Sequence, residues 1–395
     1  MSASPAVTTD HSKAKADDAH SHGVVPAASR AERTTSFDVA DFPMPTGREE
    51  DWRFTPIKQL AGPLADAPVT ATPTLTLDTL PAGIVFTQID VDDARRRSVR
   101  AASDRAGAVA SSHALRGMLM SVEPGAVVSR PVEIGGALDG GPFRTHFVAE
   151  IGEGAEVTLI ARYTGTAELS EFMSIDLAPR AHLNLVLIDE TTTETVFLND
   201  LAARLGRDAK LKCSIIGLGS AIARRNTTVV MNGEGAEVDL YGLYFANDGQ
   251  HIENRVFVDH VAPRCRSRVA YKGALAGETA RTVWIGDVLI RAEAEGTDTY
   301  ELNRNLLLTG GARADSVPNL EIETGEIEGA GHASATGRFD DEQMFYLRSR
   351  GIPEDEARKM VVRGFFADIV HEIGVPHVEQ GLMRAIDREL GAVHE

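Results

Sequence analysis

Through the middle of the chain, small and apolar residues alternate with polar ones at a period of two, and the whole pattern recurs. Ala155, Val157 and Leu159 are followed by Ala181, Leu183 and Leu185, by Ala209, Leu211 and Cys213, and by Ala236, Val238 and Leu240. The hexapeptide Gly-Glu-Gly-Ala-Glu-Val occurs at Gly152 to Val157 and again at Gly233 to Val238. Its offset is three repeats of about 27 residues. Ala126 and Val128 precede the series, and Cys265, Ser267 and Val269 follow it. A near-constant period with strand-like alternation inside each unit is the signature of short strands stacked into a solenoid. Glu156, His182, Lys210 and Glu237 fall on the outward parity, and the small and apolar residues on the inward one. The pattern predicts a mainly β fold: a parallel right-handed β-helix core over about 116–338, with helical N- and C-terminal regions.

The C-terminal region, 339–395, changes to a helical period. Asp340, Asp341 and Glu342 are acids suited to a helix start, and Gly351 suits its end. Pro353 opens another helix, with Glu354, Asp355 and Glu356 in its first turn. Val361, Phe365, Ile369 and Ile373 lie four apart, widened by Met360, Phe366 and Val370. Leu382, Ile386 and Leu390 mark a last short helix. Faces this broad need a surface, either the solenoid's own end or another protein. At the other end, 1–35 reads as a disordered tail in which His20 and His22 are incidental. Residues 36–115 form a mixed region with a polar helical run from Asp92 to Ala110, whose Arg95, Arg96, Arg97, Arg100 and Arg105 read as a solvated face.

Charge and composition narrow the function. The 395 residues carry 58 acidic against 40 basic side chains, a formal charge of −18, which works against nucleic acid and anionic lipid as partners. No membrane span and no secretory start are apparent, so a cytoplasmic location is expected. No GxxxxGK[ST] segment occurs, so no nucleotide site of its own is expected, and the Gly-x-Gly pieces at Gly152 and Gly233 read as rung turns. The two cysteines, Cys213 and Cys265, are too few for a disulfide framework or a zinc site. Cys213 lies on the inward parity as a buried thiol. Cys265 takes the small-residue position of its rung, with His260 five residues before it, a weak alternative metal pair. A secreted carbohydrate-active β-helix enzyme would share the architecture, but the chain is only 6% aromatic, few for sugar platforms.

Two segments carry a family resemblance. One is Pro45-Thr-Gly-Arg-Glu-Glu-Asp-Trp-Arg-Phe-Thr55. The other is Gly331-His332-Ala333-Ser334-Ala335-Thr336-Gly337 followed by Phe339 to Ile352. With Asp259-His260, Pro263, Cys265, Ser267 and Lys272-Gly273 between them, they resemble the SufB/SufD family of iron–sulfur cluster assembly proteins. The length and the Phe345-Tyr-Leu-Arg-Ser-Arg-Gly351 segment look more like SufD than SufB, the SufB-like cluster-carrying subunit being the alternative. The resemblance implies a non-catalytic scaffold in a SufBCD-type complex, paired with a SufB-type paralogue and the SufC ATPase, with a transient iron–sulfur cluster shared with the partner. It implies His332, expected in an open loop of small residues from Gly329 to Gly337, as the candidate cluster ligand, with Cys265 and His260 as weaker alternatives. It also implies Phe345, Met360, Phe365, Phe366 and Ile369 as a face that docks SufC. Family members often carry Cys two residues before the motif histidine; here that residue is Ala330. A cluster normally takes four thiolates, so this chain holds one only with ligands from elsewhere.

Overall fold

Each repeat divides into two strands and two turns, so successive repeats stack two parallel sheets around one interior. The computed structural model describes residues 33–392 apart from Val91 and Asp340; His20, His22 and nearly all of the expected tail lie outside it. Three strands open the chain: β1 (Thr74–Leu77), β2 (Ile84–Ile89) and, after helix α1 (Arg105–His113), β3 (Gly117–Val122). Strands β4 (Val132–Ile151) and β5 (Glu156–Leu177) are long enough to run through both sheets. From there each rung supplies a pair: β6 (His182–Thr191) and β7 (Val196–Leu205), β8 (Lys210–Gly217) and β9 (Ile222–Met231), β10 (Glu237–Ala246) and β11 (His251–His260). Then come β12 (Arg266–Leu275) and β13 (Arg281–Ile290), β14 (Asp298–Leu307) and β15 (Arg313–Ile322), and finally β16 (Gly329–Arg338). The pairing order is β15-β13-β11-β9-β7-β5-β6-β8-β10-β12-β14-β16, with every step parallel. The first rung is closed off differently, by β1 antiparallel to β4 and β2 antiparallel to β3.

The recurring small residue has a geometric cause. Gly154, Arg180, Asp208, Gly235, Arg264 and Gly296 all have positive φ, and each stands one residue before a small inward side chain: Ala155, Ala181, Ala209, Ala236, Cys265 and Thr297. A left-handed residue turns the chain into the rung, and its amide donates to a carbonyl of the next turn, as Gly154 does to Pro179 and Gly235 to Pro263. Beyond the corner the inward residues stack in register. Leu159, Leu185, Cys213, Leu240, Val269, Glu301 and His332 form one such column.

The outer faces of both sheets are covered. Helices α2 (Asp341–Ser349), α3 (Glu354–Glu372) and α4 (Pro376–Ala392) follow the last rung, and α3 and α4 lie along the flank of the β6–β12 sheet. Val362, Phe366, Ile369, Val370 and Ile373 pack there with the outward Val186, Ile188, Ile216, Leu243 and Phe245. The face anticipated for a partner therefore splits. Phe366 and Ile369 belong to the chain's own core, Phe365 is half-buried, and Phe345 and Met360 remain 75% and 49% exposed. A row of residues four apart drifts around a helix of 3.6 residues per turn, so the buried stripe runs obliquely to it. The other sheet is covered by residues 36–115, through Trp52, Leu60 and Leu64 against Leu198 and Ile222. The arginine run is also corrected: Ala94–Arg97 is one 3-10 turn, and Arg96 is buried, donating to His146 and to the carbonyls of Ser111 and Ala114.

Candidate functional site at the open end of the solenoid

The interior changes character toward its last rungs. Inward positions that carry leucine and isoleucine earlier become Thr299, Glu301, Asn303 and Asn305 on β14, all buried. The side chains bond to one another. Asn303 Nδ2 donates to the Tyr244 hydroxyl at 3.0 Å, Tyr244 to Asn305 Oδ1 at 2.8 Å, and Ser316 to Asn303 Oδ1 at 2.6 Å. On β16 the same parity places Ala330, His332, Ser334 and Thr336 above them, and all four are exposed. They are exposed because β14 is the only strand paired with β16 among the described residues, and the helices that follow leave along the flank.

His332 thus sits on a strand, which corrects the expected loop, and it faces the mouth of the interior. Its register partner is Glu301, fully buried, with both carboxylate oxygens lacking a hydrogen-bond partner. Burial, reinforced by the charge of Asp287, pushes the Glu301 carboxyl up to about 8. The pair places an accessible imidazole directly over a carboxyl that is neutral at pH 7, a combination suited to binding a metal and exchanging a proton. No three His, Cys, Asp or Glu side chains among the described residues converge to hold a metal ion alone.

The alternative pair is not assembled. His260 is shut inside the solenoid with Nε2 on the Ser267 hydroxyl at 2.9 Å, and burial holds it down at about 4. The thiol of Cys265 turns instead to the carbonyls of Gly233 and Pro263, at 3.4 and 3.7 Å. Cys213 is buried in the apolar column, and desolvation pushes its thiol up to about 12, which disfavours the thiolate. Other motif residues have structural work. Lys272 Nζ holds α3 through the Phe365 carbonyl and Asp368, at 2.8 and 2.6 Å. A side chain on Gly273 would collide with the Tyr244 ring at 2.0 Å. Glu301 was missed by motif reading. Its signal was parity: Thr299, Glu301, Asn303 and Asn305 alternate as inward residues do, yet all are polar.

Residues 137–365 match the family profile described as SUF system FeS cluster assembly, SufBD core domain. An iron–sulfur cluster assembly SufBD family protein of Mycobacterium bovis is 47% identical over 373 residues, covering 92% of this chain and 94% of the relative. One of Mycobacterium leprae is 43% identical over 364 residues, covering 90% and 93%. The iron–sulfur cluster assembly protein SufD of Escherichia coli is 30% identical over 254 residues, covering 63% and 59%. The matched core, the near full-length relatives and the stacked parallel rungs make this chain a member of the SufBD family of iron–sulfur cluster assembly proteins.

Proposed function

We propose that the chain is the SufD-like, non-catalytic scaffold subunit of a cytoplasmic SufBCD-type complex, pairing with a SufB-type subunit and the SufC ATPase. Its part is to present His332 as one ligand of a transient cluster that the SufB-type partner completes. The single observation that carries this reading is the position of His332, exposed on the last rung over buried Glu301. The chain's two thiols are buried in structural positions, so further ligands come from a partner that covers this end. The exposed side chains of the helical region, Phe345 and Met360 with half-buried Phe365, form the SufC-docking surface. Co-expression with SufB and SufC chains, then iron and acid-labile sulfide assay of the purified complex, tests the reading. His332→Ala is expected to leave assembly intact and lower both contents at least severalfold, whereas Cys213→Ser with Cys265→Ser leaves them near normal. Normal cluster content in the His332 variant would refute the assignment.

A further inference from the structure

At the opposite end of the solenoid the interior is not filled. A cavity of 610 Å³ lies between the first rungs and the strands that cover them, β1 to β3. Its origin is visible in the inward columns. Ala161 stands where the next two rungs place Leu187 and Ile215. One inward row beyond Ala161, Gly136 is in register with Tyr163 and adds no bulk. The walls are mainly apolar, and the outermost of them, Leu75, Leu77 and Leu115, are 40 to 44% exposed at the rim. Deep inside sits one carboxylate. Glu171 is 4% exposed and accepts from Tyr163 at 2.8 Å, Asn199 at 3.0 Å and Thr145 at 3.3 Å. Ion pairs elsewhere in the interior give carboxylates an arginine, as Asp189 has Arg225. Glu171 has only hydroxyl and amide donors, and burial pushes it up to about 7.

An apolar void of this size lowers stability when left empty, and a preformed apolar pocket with a few convergent polar groups is the ordinary form of a small-molecule site. We infer that this chamber binds a small amphipathic molecule whose apolar body fills the space between β1 and β5 and whose uncharged or cationic N–H donor reaches Glu171. The walls also carry Arg116, donating to Gln88, and buried Arg144, donating to the carbonyls of Phe143 and Gly62; at pH 8, where Glu171 is ionised, a carboxylate seated at Glu171 in place of the N–H donor meets a like charge and is disfavoured. The site is at the far end of the solenoid from His332 and does not depend on cluster ligation.

Two fluorescent probes of equal ring size, 1-aminoanthracene and anthracene-1-carboxylate, test this on the full chain at pH 8, where Glu171 is ionised. The amine is expected to bind saturably, one per chain, and the carboxylate at least tenfold more weakly. Ala161→Phe and, from another strand, Met118→Trp occupy the chamber and are each expected to weaken amine binding at least tenfold, with circular dichroism confirming the fold. Glu171→Gln removes the charge and is expected to shrink the preference for the amine to under threefold. The inference fails if the parent protein binds neither probe saturably or binds both equally. It fails too if folded filled variants bind like the parent, or if Glu171→Gln keeps the full preference.

Discussion

Inside the solenoid the guanidinium of Arg225 meets the carboxylate of Asp189, both 97% or more buried, and the hydroxyls of Thr191 and Ser220 complete the carboxylate's bonds at 2.6 and 2.8 Å. Taking away one member strands the other in a low-dielectric interior. Asp189→Ala is expected to destabilise by about 3–5 kcal/mol, whereas the double change Asp189→Leu with Arg225→Met costs much less. Urea midpoints of the three proteins decide it. A double variant as unstable as the single one would show that the bonds, not the stranded charge, set the cost.

The N-terminal motif has a comparable test. Trp52 lies 3.7 Å under the guanidinium of Arg224, which also pairs with Asp104, the residue that starts α1. Thr55 donates to buried Glu253 at 2.7 Å. Trp52→Ala is expected to cost about 3–5 kcal/mol by thermal or urea unfolding. Protease cleavage between residues 36 and 115 should accelerate with it, since this packing is what holds that region to the sheet. A loss below about 1 kcal/mol would mean that the region is held elsewhere.

The helical region yields a contrast. Phe366→Asp places a charge against Val186, Ile216 and Phe245 and is expected to unfold the helices from the flank, visible as lost helical circular dichroism. Phe345→Asp and Met360→Asp alter exposed side chains and are expected to leave the protein folded while, with the proposed docking surface, abolishing co-purification of SufC. Full co-purification of the two surface variants would remove them from the docking surface.

Glu171 also gives a pH dependence. Its carboxyl titrates near 7 in the folded chain against 4.5 for the free side chain, so the folded state holds a proton that the unfolded state releases between those values. Stability therefore falls as pH rises through that window, by up to about 1.4 kcal/mol per unit. Buried His146, held down at about 3, gives the opposite slope between about 3 and 6.5, because there only the unfolded chain takes up the proton. Glu171→Gln isolates the first effect: the variant's stability relative to the parent should rise between pH 4.5 and 7. A flat difference would show that Glu171 ionises normally.

The solenoid was legible because its cause is local and repeated: a left-handed corner, a small residue, then alternation. The helices were equally legible as elements, but their partner was not, since a broad apolar stripe looks the same whether Phe366 meets its own sheet or another protein. His332 was found through its motif and misplaced into a loop because Gly, Ala and Ser have low strand propensity. What makes the segment a strand is the neighbouring β14, a long-range template that composition does not register. Glu301 and the chamber around Glu171 depend on which residues stack across rungs, a relation that appears once the register is known.

The two ends of the solenoid are unlike, and this sets how copies or relatives can add to it. Among the described residues β15 and β16 have one strand partner each and run parallel to it, whereas the first rung ends in β1 and β2, which run antiparallel to theirs. Pro318 in β15 further interrupts one of the two edges, and β16 is built from side chains too small to grip a continuous stack. A copy stacked head to tail would meet a reversed strand where the parallel rung pattern would have to continue, so the repeat does not propagate in register through this end.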